Sequence, residues 1–159
     1  MKVFIKINFD GSKSSYQVSS RCVIHNWSFI QVGTFYLGIT SILVAEATTM
    51  RNGIRAAVQA RFTNIYIRGN NKALIQVAQE YIQTSWEIQV LVQDVHSYFQ
   101  SCNHVIVKHI FRESNRVADW LTKVGLALQS TVWNQISHMD FYFILTENNI
   151  EKTIKKRTV

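Results

Sequence analysis

Acidic residues are scarce in this chain, ten Asp and Glu against seventeen Lys and Arg, so the placement of each carboxylate carries information. Asp10 follows an alternating run and precedes Gly11, a pairing that by itself reads as a hairpin turn. Glu46 sits among Ile42–Ala45 and Ala47, on the edge of an apolar helical stripe beside Met50 and Gly53. A carboxylate there is partly desolvated unless it is paired with a base or bound to a metal. Asp119 lies opposite Val117 and Leu121, and Lys123 at its i+4 position offers an ion pair on a solvated helix face. His109, taken by itself, reads as an ordinary loop or strand-end histidine. The five histidines (25, 96, 104, 109 and 138) show no HExxH or related spacing, which argues against a zinc hydrolase.

The elements that would position these groups follow from periodicity. Val3, Ile5, Ile7 and Phe9 form one face of a strand, with Lys2, Lys6, Asn8 and Asp10 on the other, and Asp10-Gly11 is expected to break the run. Strand-like stretches at Cys22–Trp27 and Phe29–Ile39 suggest an antiparallel meander. From Ser41 the period changes: Leu43, Ala47, Met50, Ile54, Ala57 and Val58 make a helical stripe, with Ser41 or Thr40 as N-cap. A short strand at Asn64–Arg68, helices at Asn71–Tyr81 and Glu87–Gln100, a strand at Val105–Val107 and a helix at Ser114–Gln129 complete the order β-β-β-α-β-α-α-β-α. That order implies an α/β domain with a mixed five-stranded sheet, three antiparallel N-terminal strands plus two more, flanked by helices. The expected division is one domain over residues 1–128 and a C-terminal extension, 129–159, ending in the basic run Lys152-Thr-Ile-Lys-Lys-Arg157.

Composition narrows the class. With 159 residues, 47% apolar and 17% charged, a sizeable core is available. Cys22 and Cys102 are isolated, with no CxxC, so neither a disulfide framework nor a cysteine metal site is supported. The N-terminal run lacks an apolar signal-type segment, and Phe35–Ala45 is too short and too interrupted to span a bilayer. A soluble, intracellular monomer with no membrane association is expected. The net charge of +7 favours a polyanionic partner, although it also serves solubility.

Taken together, several segments resemble the plant-type ribonuclease H-like domain, found both alone and as the last domain of retroelement polyproteins. They are Asn8-Phe-Asp10-Gly-Ser12, Ala45-Glu46-Ala47, Ile65-Tyr-Ile-Arg-Gly-Asn70-Asn-Lys-Ala-Leu-Ile75, Trp86-Glu-Ile-Gln-Val-Leu-Val-Gln-Asp94-Val95, and the most specific, His109-Ile-Phe-Arg-Glu-Ser-Asn-Arg-Val-Ala-Asp119-Trp-Leu-Thr-Lys123. The resemblance covers most of residues 3–127. It implies a ribonuclease H-like fold and hydrolysis of the RNA strand of RNA/DNA hybrids at two Mg²⁺ ions (Mn²⁺ as a substitute) roughly 3.5–4 Å apart. By the resemblance, Asp10 bridges the metals, Glu46 holds the leaving-group ion, Asp119 the nucleophile ion, and His109 assists proton transfer. Gly11 and Ser12 would contact the 2′-OH groups that distinguish RNA, and Lys13 and Arg21 would flank the nucleic acid.

Two departures stand out. The remaining metal carboxylate of the family falls on Asn70, and a frequent glutamate two residues earlier falls on Arg68, so local charge moves from −2 to +1. If the strand persists, Arg68 and Asn70 share a side, and Arg68 could compete with metal for Asp10 or Glu46. Glycines expected before Val23-Ile24, and an acid near His25, are also absent. The expectation is therefore an impaired ribonuclease H, with a non-cleaving nucleic-acid-binding module or a retroelement remnant as rivals.

Overall fold

The computed structural model of the protein describes residues 2–15, 17–26, 30–112 and 132–135. Its strands are β1 (Ile5–Ser14), β2 (Gln17–His25), β3 (Ile30–Gly38), β4 (Asn64–Gly69), β5 (His104–His109) and β6 (Val132–Gln135). The helices are α1 (Ile42–Gln59), α2 (Lys72–Ala78) and α3 (Gln89–Phe99), the last preceded by a short 3-10 turn at Trp86–Ile88. The order agrees with the sequence reading as far as β5, while the helix expected at Ser114–Gln129, Asp119 within it, and the basic tail lie outside the described residues.

One mixed sheet runs β5-β4-β1-β2-β3-β6. β1, β2 and β3 form the antiparallel meander, β4 and β5 add in parallel beside β1, and β6 closes the far edge antiparallel to β3. The sheet therefore has six strands where five were expected. Val132-Trp-Asn-Gln135 has its two apolar residues adjacent, so it carries no alternating signal, and only pairing with β3 makes it a strand.

The first strand does not end at Asp10-Gly11. β1 runs on to Ser14, and Asp10 and Gly11 pair with Arg21 and Ser20 of β2. The chain reverses instead near Ser15, whose φ of 54° is left-handed. Gly11 answers a close approach rather than a turn, because a Cβ there would stand 2.9 Å from Glu46 Cγ. β2 likewise starts earlier than expected. Val18 to Ile24 are all buried, so this strand is covered on both faces and shows no alternation.

α1 packs on the face formed by Ile5, Ile7, Phe9, Cys22 and Ile24, into which Ala47, Met50, Ile54 and Ala57 project. Full burial of Met50 and Ile54 contributes roughly 1.5–3 kcal/mol each. Gly53 permits a close contact: a Cβ would meet Ile7 Cγ2 at 3.0 Å and Cys22 Sγ at 3.2 Å. Ser41 is the N-cap, its hydroxyl accepting from Val44 N at 3.1 Å. The Thr49 hydroxyl is hydrogen-bonded to the Ser20 hydroxyl, a polar pin that fixes α1 along β2. Arg51 reaches Asp94 of α3 at 3.3 Å. Among the described residues no helix is long and apolar enough to cross a membrane.

Candidate active site

The site is assembled where β1, α1, β4 and β5 meet. Asp10, in the middle of β1, is 3% exposed, and its Oδ1 accepts from Gly11 N at 2.9 Å. Glu46, in the second turn of α1, is 5% exposed and presses against Gly11, the residue next to Asp10. In the parallel register Phe9 pairs with Gly69, so Asn70 follows β4 beside Asp10 on the neighbouring strand. Gly69 is required here, because a Cβ would lie 2.5 Å from the Phe9 ring. His109 closes the group from β5, where it pairs with Gly69. Its Nε2 lies 3.1 Å from the Asn70 carbonyl oxygen, which can only accept, so Nε2 carries the proton. Asp10, Glu46, Asn70 and His109, which span a hundred residues of sequence, are thus brought together.

The tertiary structure adds Asn71, which the sequence reading passed over. Its Oδ1 caps α2 by accepting from Leu74 N at 3.1 Å, while its Nδ2 donates to Glu46 Oε2 at 2.7 Å. One amide therefore starts a helix and anchors a carboxylate on another. An Asn before the apolar run Ala73-Leu-Ile75 is a recognisable N-cap signal; nothing local announces the second bond. Burial pushes the Glu46 carboxyl above the usual carboxylate range, against the smaller opposing effects of the Asn71 and Gly11 hydrogen bonds and the Arg112 charge.

Two cations are placed differently from expectation. Arg68 does not turn toward Asp10 or Glu46: its Nε donates to Asn8 Oδ1 at 2.9 Å, and its guanidinium lies 5.6 Å from the centre of the Tyr66 ring. The residue that could have displaced a metal is held one step back along the sheet. Arg21, expected to flank bound nucleic acid, is 4% exposed opposite Asp10 in β2, and burial lowers its pKa to about 10. A guanidinium so enclosed is not presented to solvent phosphates. Lys13 is exposed, and Gly11 and Ser12 are half-buried.

The side chains gathered there that could offer oxygen to a cation are the Asp10 and Glu46 carboxylates and the Asn70 amide. Asn70 Oδ1 is buried and has no hydrogen-bond partner among the described residues. A buried acceptor left in this state suits a hard divalent cation such as Mg²⁺. No group of three or more His, Cys, Asp or Glu suited to a metal occurs among the described residues, so the charge available there is that of two carboxylates.

This architecture matches solved ribonuclease H structures. It superposes on the N-terminal RNase H domain of a Mycobacterium tuberculosis protein, crystallised as a fusion with maltose-binding protein, with a TM-score of 0.74 at 16% identity, over 80% of this chain and 96% of that one. For RNase H1 from Halobacterium salinarum NRC-1 the TM-score is 0.70 at 18% identity, over 77% and 97% of the two chains. For LC11-RNase H1, solved in complex with an RNA/DNA hybrid, it is 0.66 at 18% identity, over 76% and 94%. The fold is that of the ribonuclease H class. A search of curated proteins finds no match. A profile of the reverse transcriptase-like family matches residues 8–125, and the chain belongs to that family as an RNase H-like domain.

Proposed function

We propose that this domain binds RNA/DNA hybrids and hydrolyses the RNA strand slowly, with a divalent-metal site weakened by Asn70. The observation that supports this is the convergence of Asp10, Glu46 and the partnerless Asn70 amide oxygen from three separate elements. Asp10, Glu46 and Asn70 would hold the cation, with Asp119 as a further carboxylate from beyond the described residues. Mg²⁺ or Mn²⁺, when bound, supplies Lewis-acid stabilisation of charge developing on the scissile phosphate.

The chain's own groups supply position and proton control. Asn71 and Gly11 fix the Glu46 carboxylate, so little ordering is left to the moment of binding. His109 holds its Nε2 proton on the Asn70 carbonyl, which leaves Nδ1 as the ring's acceptor for proton transfer. Gly11 and Ser12 are offered to the 2′-OH, and Lys13 to phosphate. An amide at position 70 coordinates but brings no negative charge, which lowers cation affinity and therefore rate.

The test is cleavage of a labelled hybrid by purified protein with Mg²⁺ and with Mn²⁺, against an Asp10→Asn control. Metal-dependent RNA cleavage, lost in the control, is expected. A second reading, hybrid binding without cleavage, is favoured by the charge missing at Asn70, and binding without turnover in this assay would select it.

A further inference from the structure

The three strands that carry the site present a second surface on the opposite side of the sheet from the helices. Ile5, Ile7, Phe9, Ile65 and Ile67 are at most 1% exposed beneath α1–α3. The residues out of phase with them point the other way. The parallel registers place Lys6, Tyr66 and Ile106 in one row and Asn8, Arg68 and Lys108 in the next. Among the described residues no helix lies over this face: Lys6 and Lys108 on it are exposed, and Ile106, a mid-strand aliphatic residue, is 44% exposed.

Its chemistry is uniform. The two rows hold three cations and no acid. Arg68 is set in place by Asn8 and by the Tyr66 ring, and only one of its five N–H donors has a protein partner among the described residues. Strands lie about 4.8 Å apart and successive same-face rows about 6.5–7 Å apart, so the three cations fall within roughly 12 Å, close to a Debye length, and their fields add. The following row reaches Asp10 and Asn70. By contrast, residues 73–103, which include α3 and all of α2 beyond its first residue Lys72, contain no Lys or Arg but hold Glu80, Glu87 and Asp94.

We propose that this open face of β5-β4-β1 is a second nucleic-acid surface. It takes the sugar-phosphate backbone of a strand that runs on from the candidate site. Lys6, Arg68 and Lys108 meet phosphates, while Ile106 and the Tyr66 edge give an apolar rest for a sugar or base. The inference relies on the nucleic-acid-binding reading above and is independent of cleavage.

The experiment measures binding, in EDTA, of a short RNA/DNA hybrid with a single-stranded overhang across a salt series. The parent is compared with Lys6→Gln/Lys108→Gln and with Arg55→Gln/Arg61→Gln, which removes equal charge elsewhere; thermal melting confirms that each is folded. The first variant is expected to lower the slope of log affinity against log salt by about 2, with the Arg55/Arg61 variant unchanged. Parent-like binding by the Lys6/Lys108 variant, or an equal loss in both variants, would overturn the surface alone. No hybrid binding by the parent would overturn the functional reading as well. Binding of the parent to phosphatidylserine vesicles in preference to the hybrid would overturn the choice of partner.

Discussion

Replacing Asn70 with Asp restores one negative charge without changing the volume of the side chain. Its Oδ1 is buried with no hydrogen bond to lose, and the contact of His109 is with the main-chain carbonyl, so the fold should tolerate the change. Without metal, the new carboxylate joins Asp10 and the already desolvated Glu46, and the variant should be destabilised by about 1–3 kcal/mol, the usual cost of an uncompensated buried polar group. With metal the sign reverses. Mass action at a hundredfold excess over Kd stabilises by about 2.7 kcal/mol. In a chain of this size each kcal/mol moves the Tm by roughly 2–4 °C, so Mg²⁺ should raise the variant's Tm by roughly 5–10 °C and the parent's by much less. Cleavage of the hybrid should rise at least about tenfold, since even indirect losses around a metal typically cost that much. Adding Arg68→Glu should contribute little, because Arg68 is tied to Asn8 and Tyr66 rather than to the carboxylates. Paired melts in EDTA and Mg²⁺, followed by the cleavage assay, check this. The reasoning is refuted if Asn70→Asp folds and binds hybrid, yet melts identically in both buffers and cleaves no faster than the parent.

Glu46→Gln should stabilise the metal-free protein at neutral pH. Because burial raises the Glu46 pKa in the folded state, the folded protein holds its proton longer than the unfolded chain, and stability falls as pH rises from the ordinary glutamate range through the raised value. The Tm advantage of the Gln variant should therefore be present at pH 7 and shrink toward zero below pH about 4; melts in EDTA across that range decide it, and an advantage independent of pH would contradict the burial argument. Gly69→Ala should lower stability by about 1–3 kcal/mol, because the new Cβ would fall 2.5 Å from the Phe9 ring and force the two strands or the ring to shift. Denaturant unfolding checks it, and a parent-like midpoint would show that the strand end has slack.

The elements were largely legible because they rest on local signals. The change from period two to a helical stripe at Ser41, its N-cap and the alternating first strand are consequences of backbone sterics and of which residues can share one face. Asp10, Glu46, Asn70 and His109 could be singled out for a related reason: each sits inside a short motif at the end or middle of a readable element. What tertiary structure decided was which local preference survives. Asp10-Gly11 favours a turn, but pairing on both sides, with β2 and, at Phe9, with Gly69 of β4, holds it extended. Burial was equally out of reach, since Arg21 is enclosed only because β2 is covered on both faces, and no pattern within Ser19-Ser-Arg21 says so. The two bonds of Asn71 divide along the same line: the cap on Leu74 is three residues away, and the grip on Glu46 spans twenty-five. Periodicity and capping act over a turn or a strand, so sequence alone can state them. Register, burial and the meeting of distant side chains exist only once the sheet has closed, and they determine here that Asn71 holds Glu46, that Arg68 is tied to Asn8, and that Arg21 is enclosed.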